Sequence, residues 1–251
     1  MHASAPAQPI PLRRSKAVVA LLLTFSAGCV DIVGYLTLYQ MFTAHMTGDT
    51  VHLGESVLGA RWMDAASAGC IIAAFLFGSI AGRTLIEIGS RRRFRSIAST
   101  NLLLEAALIA AVVPLASPGG RHVLPLLAML AAAMGMQTAT LTRIGSLTVH
   151  TTFVTGMLNK LAQLLSHAAF VTYDIAQGRE KTAHRRRILR EAQFISSIWM
   201  VYLAGAVTGT WLRSLWDIRA LWVPAAVVAL TLLADQVSPL SVEEEHEEPA
   251  E

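Results

Sequence analysis

Charge is scarce in this sequence. Only 15% of its 251 residues are Asp, Glu, Lys or Arg, against roughly 25% for a soluble domain. That excludes a protein covered on all sides by water. Cysteine is nearly missing: Cys29 and Cys70 are the two, both inside apolar runs, so neither a disulfide framework nor a cysteine metal pair is available. The catalytic signatures are missing too. There is no HExxH, no GxSxG and no phosphate-binding glycine loop, which leaves little ground for an enzyme.

What is present is apolar. Apolar residues make up 54% of the chain and the mean hydropathy is +0.51. A bilayer core takes about 20 apolar residues in helix. Six segments meet or approach that length: 17–40, 65–86, 97–116, 123–142, 194–213 and 219–235. Residues 1–16, with three prolines, read as a flexible leader. Arg13, Arg14 and Lys16 before an apolar run resemble a secretory signal, but the run continues through "VDIVGYLTLY" and has Ser26 three residues before Cys29. It reads as a span that stays in the membrane. Residues 238–251 read as an acidic, disordered tail.

The net charge of +3 hides an asymmetry, because "VEEEHEEPAE" at the end holds six of the 17 acidic residues. The basic residues flank apolar runs, where lipid headgroups and topology account for them, so no nucleic-acid partner is expected. With the amino terminus inside, sixteen of the 20 Lys and Arg fall on the cytoplasmic side. The positive-inside rule then places both termini in the cytoplasm of a multi-pass inner-membrane protein. Residues 157–177, "MLNKLAQLLSHAAFVTYDIAQ", carry Leu158, Leu161, Leu165, Ala168, Thr172 and Ile175 as a stripe at helical spacing. Lys160, Gln163, His167 and Asp174 interrupt it, which predicts a re-entrant or interfacial helix rather than a seventh span.

Two stretches repeat. "FTAHMTGDTV" (42–51) and "HTTFVTGMLN" (150–159) each follow a long apolar run. Matching Gly48 with Gly156 pairs Thr43 with Thr151, Thr47 with Thr155 and Leu53 with Leu161. Upstream, Gly28 meets Gly135. Downstream, "FLFGSIAGRTL" (75–85) meets "YLAGAVTGTWL" (202–212), pairing Gly78 with Gly205 and Gly82 with Gly209. Three spans per half put the second half on the opposite side at its start. The expected fold is therefore an all-α integral membrane protein of six transmembrane helices, built as two inverted three-helix repeats with glycine-interrupted segments. The halves are 17–120 and 121–237, the second including a cytoplasmic amphipathic and basic segment, 157–192. The breaks would meet at the midplane, where free backbone is tolerated only if buried in protein or lining a cavity. Gly78/Gly82 and Gly205/Gly209 are GxxxG pairs that let helix backbones approach closely.

Polar groups within the spans are the candidate functional residues. Asp31 lies inside the first span, where a carboxylate is costly and suits proton coupling or cation binding. Its plainer reading is a neutral acid bonded to a neighbouring helix. Gln137 or Thr138 occupies the matching place in the second half, and Glu105 is a further acid nearer the cytoplasmic boundary. The expected substrate or ion pathway is Asp31, Thr47, Gly48, Asp49, Gln137, Thr155 and Gly156. His45, Asp49 and His52 would share a face of a continuous helix and suit zinc or another divalent metal. A wet polar surface is the plainer reading, since the second half has Phe153, Met157 and Lys160 there and Gly48 interrupts the set.

"AGCVDIVGYLTL", "FTAHMTGDTVHLG", "FLFGSIAG", "AMGMQTATL" and "TTFVTG" together resemble the YoaK-like family of bacterial membrane proteins, a domain-of-unknown-function family. The resemblance runs from about Ala17 to Ala234. It implies a polytopic inner-membrane protein and carries no settled activity. That family usually has TGN at the first break, whereas this chain has Thr47, Gly48 and Asp49. A transporter or permease of a small solute or ion, proton-coupled through Asp31, is the expected function. Helix starts at the breaks favour an anionic or carboxylate-bearing solute. The expected partners are the lipid bilayer, that solute and, because six spans are few for a carrier, a second copy of the chain in a homodimer. No cofactor is expected. The alternatives are a membrane-embedded metal-dependent enzyme using His45, Asp49 and His52, and a non-transporting scaffold that docks partners through the basic segment 179–190.

Overall fold

A buried acid on the first long helix takes up two backbone amides of the connection that follows it. A computed structural model of the chain describes residues 14–38, 40–92, 97–116, 123–140, 143–144, 147–148, 151–152, 154–178 and 181–237. Helix α1 is Arg14–Thr37 and α2 is Met46–Leu58; α3 is Trp62–Arg91, α4 is Ile97–Leu115 and α5 is Val123–Thr140. A short antiparallel pair follows, β1 Arg143–Ile144 with β2 Leu147–Thr148. Then come α6 Val154–Ala176, α7 Thr182–Trp216, a 3-10 turn at Asp217–Leu221, and α8 Trp222–Val237. The leader and the acidic tail expected at the two ends lie almost entirely outside the described residues.

The chain is an all-α membrane protein. Among the described residues, five stretches are long and apolar enough to cross a bilayer: Lys16–Thr37, Trp62–Arg91, Ala98–Leu115, Val123–Thr140 and Thr182–Ala234. The last has 53 residues and contains α7, the 3-10 turn and α8. Large apolar side chains including Phe77, Ile80, Leu103, Met200, Val207, Trp211 and Leu233 stand exposed on these helices, as lipid-facing residues do. Pro125 and Pro224 lie in the first turns of α5 and α8, where a missing N–H costs no helical bond.

Two helix pairs form the centre, and each joins an early helix to a late one. α3 packs most extensively on α5, and α1 on α7. Glycine explains how closely they approach. A Cβ on Gly28 would overlap the Tyr202 carbonyl oxygen, and one on Gly205 would overlap that of Phe25. At the other crossing, Gly135 faces the Phe75 carbonyl and Gly78 the Ala132 carbonyl in the same way. Gly82 and Gly209 extend the two contacts against Met136 and Cys29. The GxxxG pairs thus pack helices together, with Gly28 and Gly135 as their opposite members.

Three sequence expectations need adjustment. The first span ends at Thr37, not at 40. The basic residues 182–190 belong to α7, a single helix of 35 residues. At a rise of 1.5 Å it is about 50 Å long, well beyond a hydrocarbon core of about 30 Å, so its charged start stands clear of the apolar layer. Finally, Gly48 and Gly156 do not interrupt a helix. Each lies in the first turn of a helix, α2 or α6, and the interruption precedes it.

Candidate functional site

Asp31 sits on the buried side of α1 at 3% exposure. Its Oδ1 accepts from the Thr43 amide at 2.9 Å, the Thr43 hydroxyl at 2.6 Å and the Ala44 amide at 2.9 Å. Its Oδ2 accepts from the Tyr202 hydroxyl of α7 at 2.5 Å. Amides committed to a side chain cannot join a helical ladder, so Thr43 and Ala44 stay outside one and α2 begins at Met46. Phe42 stacks on Tyr35 with ring centres 4.6 Å apart. Gly34 leaves room for Thr43, whose methyl would lie 2.9 Å from a Cβ placed there.

The second half builds its break with different groups in the same places. Gln137, fully buried on α5, donates through Nε2 to Thr151 Oγ1 and to the Leu23 carbonyl, both at 3.0 Å. Thr138 and Thr152 share a hydroxyl–hydroxyl bond of 2.7 Å. Thr151 is the residue that the repeat matches to Thr43. A polar side chain of the first helix therefore holds the threonine that precedes each helix restart.

The two restarts face one cavity of about 280 Å³. Ala44, His45, Met46 and Thr47 line it from the first half, and Thr152, Val154 and Thr155 from the second. Phe75 and Thr138 complete the wall. Of the pathway residues expected from sequence, Thr47 and Thr155 are brought together here. Asp31, Asp49, Gln137, Gly48 and Gly156 stand behind the lining or beside it. His45, Phe75, Thr138 and Thr152 were not on that pathway. The repeat alignment did mark the segments that hold them, although nothing in it singled out Phe75.

Asp49 is buried in the first turn of α2. Burial pushes its carboxyl up to about 7, a hydrogen bond from the Phe42 backbone opposes that, and the nearby Asp31 charge adds to the rise. Its Oδ2 has no hydrogen-bond partner, and neither has Ser56 Oγ two turns on. The metal reading of His45, Asp49 and His52 gains no support from the geometry. Although α2 is continuous through Gly48, His45 turns to the cavity, and His52 lies 3.7 Å from Glu55, which pairs with Arg61 at 2.9 Å. Among the described residues no three His, Cys, Asp or Glu side chains gather as metal ligands.

No solved structure matches the chain. The UPF0700 transmembrane protein YoaK of Bacillus subtilis (strain 168) is 26% identical to it over 216 residues, covering 82% of this chain and 88% of that protein. The family model described as "Protein of unknown function (DUF1275)" matches residues 19–234, so the chain belongs to the DUF1275 family.

Proposed function

We propose that this protein is an inner-membrane permease of six spans, built as two inverted three-span halves, that moves a small anionic or carboxylate-bearing solute through the cavity between α2 and α6. The carrying observation is that Thr47 and Thr155, matched by the repeat, line the same cavity at the first turns of two different helices. Helix starts present unpaired N–H groups and a partial positive charge. At α2 the residue before the helix, His45, makes no side-chain cap. Four threonines, Thr47, Thr138, Thr152 and Thr155, add hydroxyls, and among the described residues no carboxylate lines the cavity. That chemistry suits an anion.

The inverted arrangement draws support from helix packing. Exchanging the halves maps the α1–α7 contact onto α5–α3, α2–α3 onto α6–α7, and α4–α5 onto α8–α1. In that arrangement residues 92 and 186 share the cytoplasmic side. Single cysteines there, with Cys29 and Cys70 replaced by Ala, should label from one side of the membrane; labelling from opposite sides would refute the topology.

The functional test is a thermal-stability screen of the purified protein against chloride, phosphate, acetate and lactate, with matched amines as controls. At least one anion should raise Tm, and Thr47→Val/Thr155→Val should abolish the rise. An indifferent protein, or a rise unchanged in the double variant, sinks the reading.

A further inference from the structure

Away from the cavity, α4 carries a buried acid that none of the described residues answers. Ala98, Leu102, Ile109 and Val112 form its buried apolar stripe, and Asn101 and Glu105 interrupt it, each with no exposed surface. Both Glu105 carboxyl oxygens lack a hydrogen-bond partner, and so does Asn101 Oδ1. The Asn101 amide is committed elsewhere, donating to the Gly82 carbonyl of α3 at 3.0 Å. Residues four apart on a helix are side-chain neighbours. Two acceptors with no donor therefore occupy adjoining turns of one buried face.

Among the described residues, the surrounding helices bring no buried charge to this face of α4. Against α4 pack α8, α5, α3 and the 3-10 turn. α5 has no titratable side chain, and neither has α8 over residues 222–234. On α3, Arg83, Glu87 and Arg91 are exposed and Asp64 lies at the far end from them; in the 3-10 turn, Asp217 and Arg219 are exposed. Among the described residues Glu105 makes no ion pair. An ionised carboxylate buried without donor or cation is prohibitively costly, and such a group takes up a proton instead.

We propose that Glu105 and Asn101 form a proton-binding site on α4, in which the Glu105 carboxyl carries a proton and donates it to Asn101 Oδ1. One proton supplies the single donor that both groups lack. Three oxygens among apolar neighbours fall short of the shell a metal cation requires, whereas a proton needs no shell. Through Asn101 the site is fastened to Gly82, where α3 lies against Met136 of α5. Losing the proton would leave a bare charge behind that crossing and drive α4 away from it. The protonated site therefore holds the packing described above. None of this depends on what the cavity carries.

Infrared spectroscopy of the protein in lipid nanodiscs at pH 8, with and without 13C-glutamate, tests the site. A neutral-carboxyl C=O band that shifts with the label should be present in the parent, retained in Asp49→Asn and lost in Glu105→Gln. Sodium at constant pH should leave it unchanged. Persistence of the band in Glu105→Gln, or the lack of any label-sensitive band, overturns the proposal; loss of the band on adding sodium replaces the proton with a metal cation. Where Glu105→Gln does not fold, Asn101→Leu decides. Removing the acceptor should move the band to higher frequency, and an unmoved band excludes the Glu105–Asn101 bond.

Discussion

The Tyr202 hydroxyl on α7 donates to Asp31 on α1 at 2.5 Å, joining residues 171 positions apart across a helix crossing. The same carboxylate holds Thr43 and Ala44 in the connection that leads to the cavity. One buried acid thus sets both the position of α7 and the place where α2 begins.

Tyr202→Phe should therefore lower stability by about 1–3 kcal/mol, since Asp31 Oδ2 is left without its donor. Asp31→Asn should cost a similar amount through the Thr43 and Ala44 contacts. Thermal unfolding of the parent, both single variants and the double variant gives the coupling. A coupling of about 1 kcal/mol or more is expected for groups in direct contact, and additive losses would show that the phenol does not hold the acid.

The glycine crossings make a second prediction. Gly28→Ala, Gly205→Ala, Gly78→Ala and Gly135→Ala each push a methyl group into backbone, so each should cost about 1–3 kcal/mol as the helices separate. Gly54, on an open face of α2 with nothing within 4 Å of a Cβ, is the control. There alanine should gain up to about 1 kcal/mol from helix propensity. Thermal melts in one detergent compare all five; equal effects at Gly54 and Gly78 would refute the crossing geometry.

Much of this arrangement is legible in the sequence because the matched stretches carry the same glycines. Gly28 and Gly135 are matched by the repeat, as are Gly78 and Gly205, and packing uses them in just those roles. Asp31 is conspicuous as an acid in an apolar run. Its partners are not, because Tyr202 is distant in sequence and replaced by Phe75 at the matching position. Where the helix breaks is also hidden. Glycine at 48 and 156 draws the eye, yet the contacts lie several residues earlier: Asp31 accepts from the Thr43 and Ala44 amides, and Gln137 donates to the Thr151 hydroxyl, tertiary events without a local pattern. The lone Glu105 shows as a polar residue, but only packing reveals that nothing pairs with it.

Asp49 predicts a pH dependence. Its carboxyl titrates near 3.8 in the unfolded chain and about 7 in the fold. Between those values the folded protein holds a proton that the unfolded chain has released, so its contribution to stability falls as pH rises. It is full below about 4 and lost above about 7. Asp49→Asn cannot titrate and should remove that slope. Tm measured from pH 4 to 8 for parent and variant checks this, and an equal slope in both would acquit Asp49.

The last prediction follows from the difference between the two crossings. In one, Tyr202 extends its hydroxyl to Asp31; in the other, Phe75 ends beside Thr138 at the cavity wall. The repeat pairs Tyr202 with Phe75, and Asp31 with the Gln137–Thr138 position. At the cavity wall the second half thus has a phenyl ring where the first has a phenol bonded to an acid. Phe75→Tyr should place a hydroxyl among Thr138 and Thr152, narrowing the cavity and competing for the donors that would face an anion. The variant should fold with a Tm within a few degrees of the parent and lose any anion-induced rise. Asp31 and Tyr202 are untouched, so a loss of fold would show that the two crossings are not interchangeable, and an undiminished anion response would mean that the solute binds elsewhere.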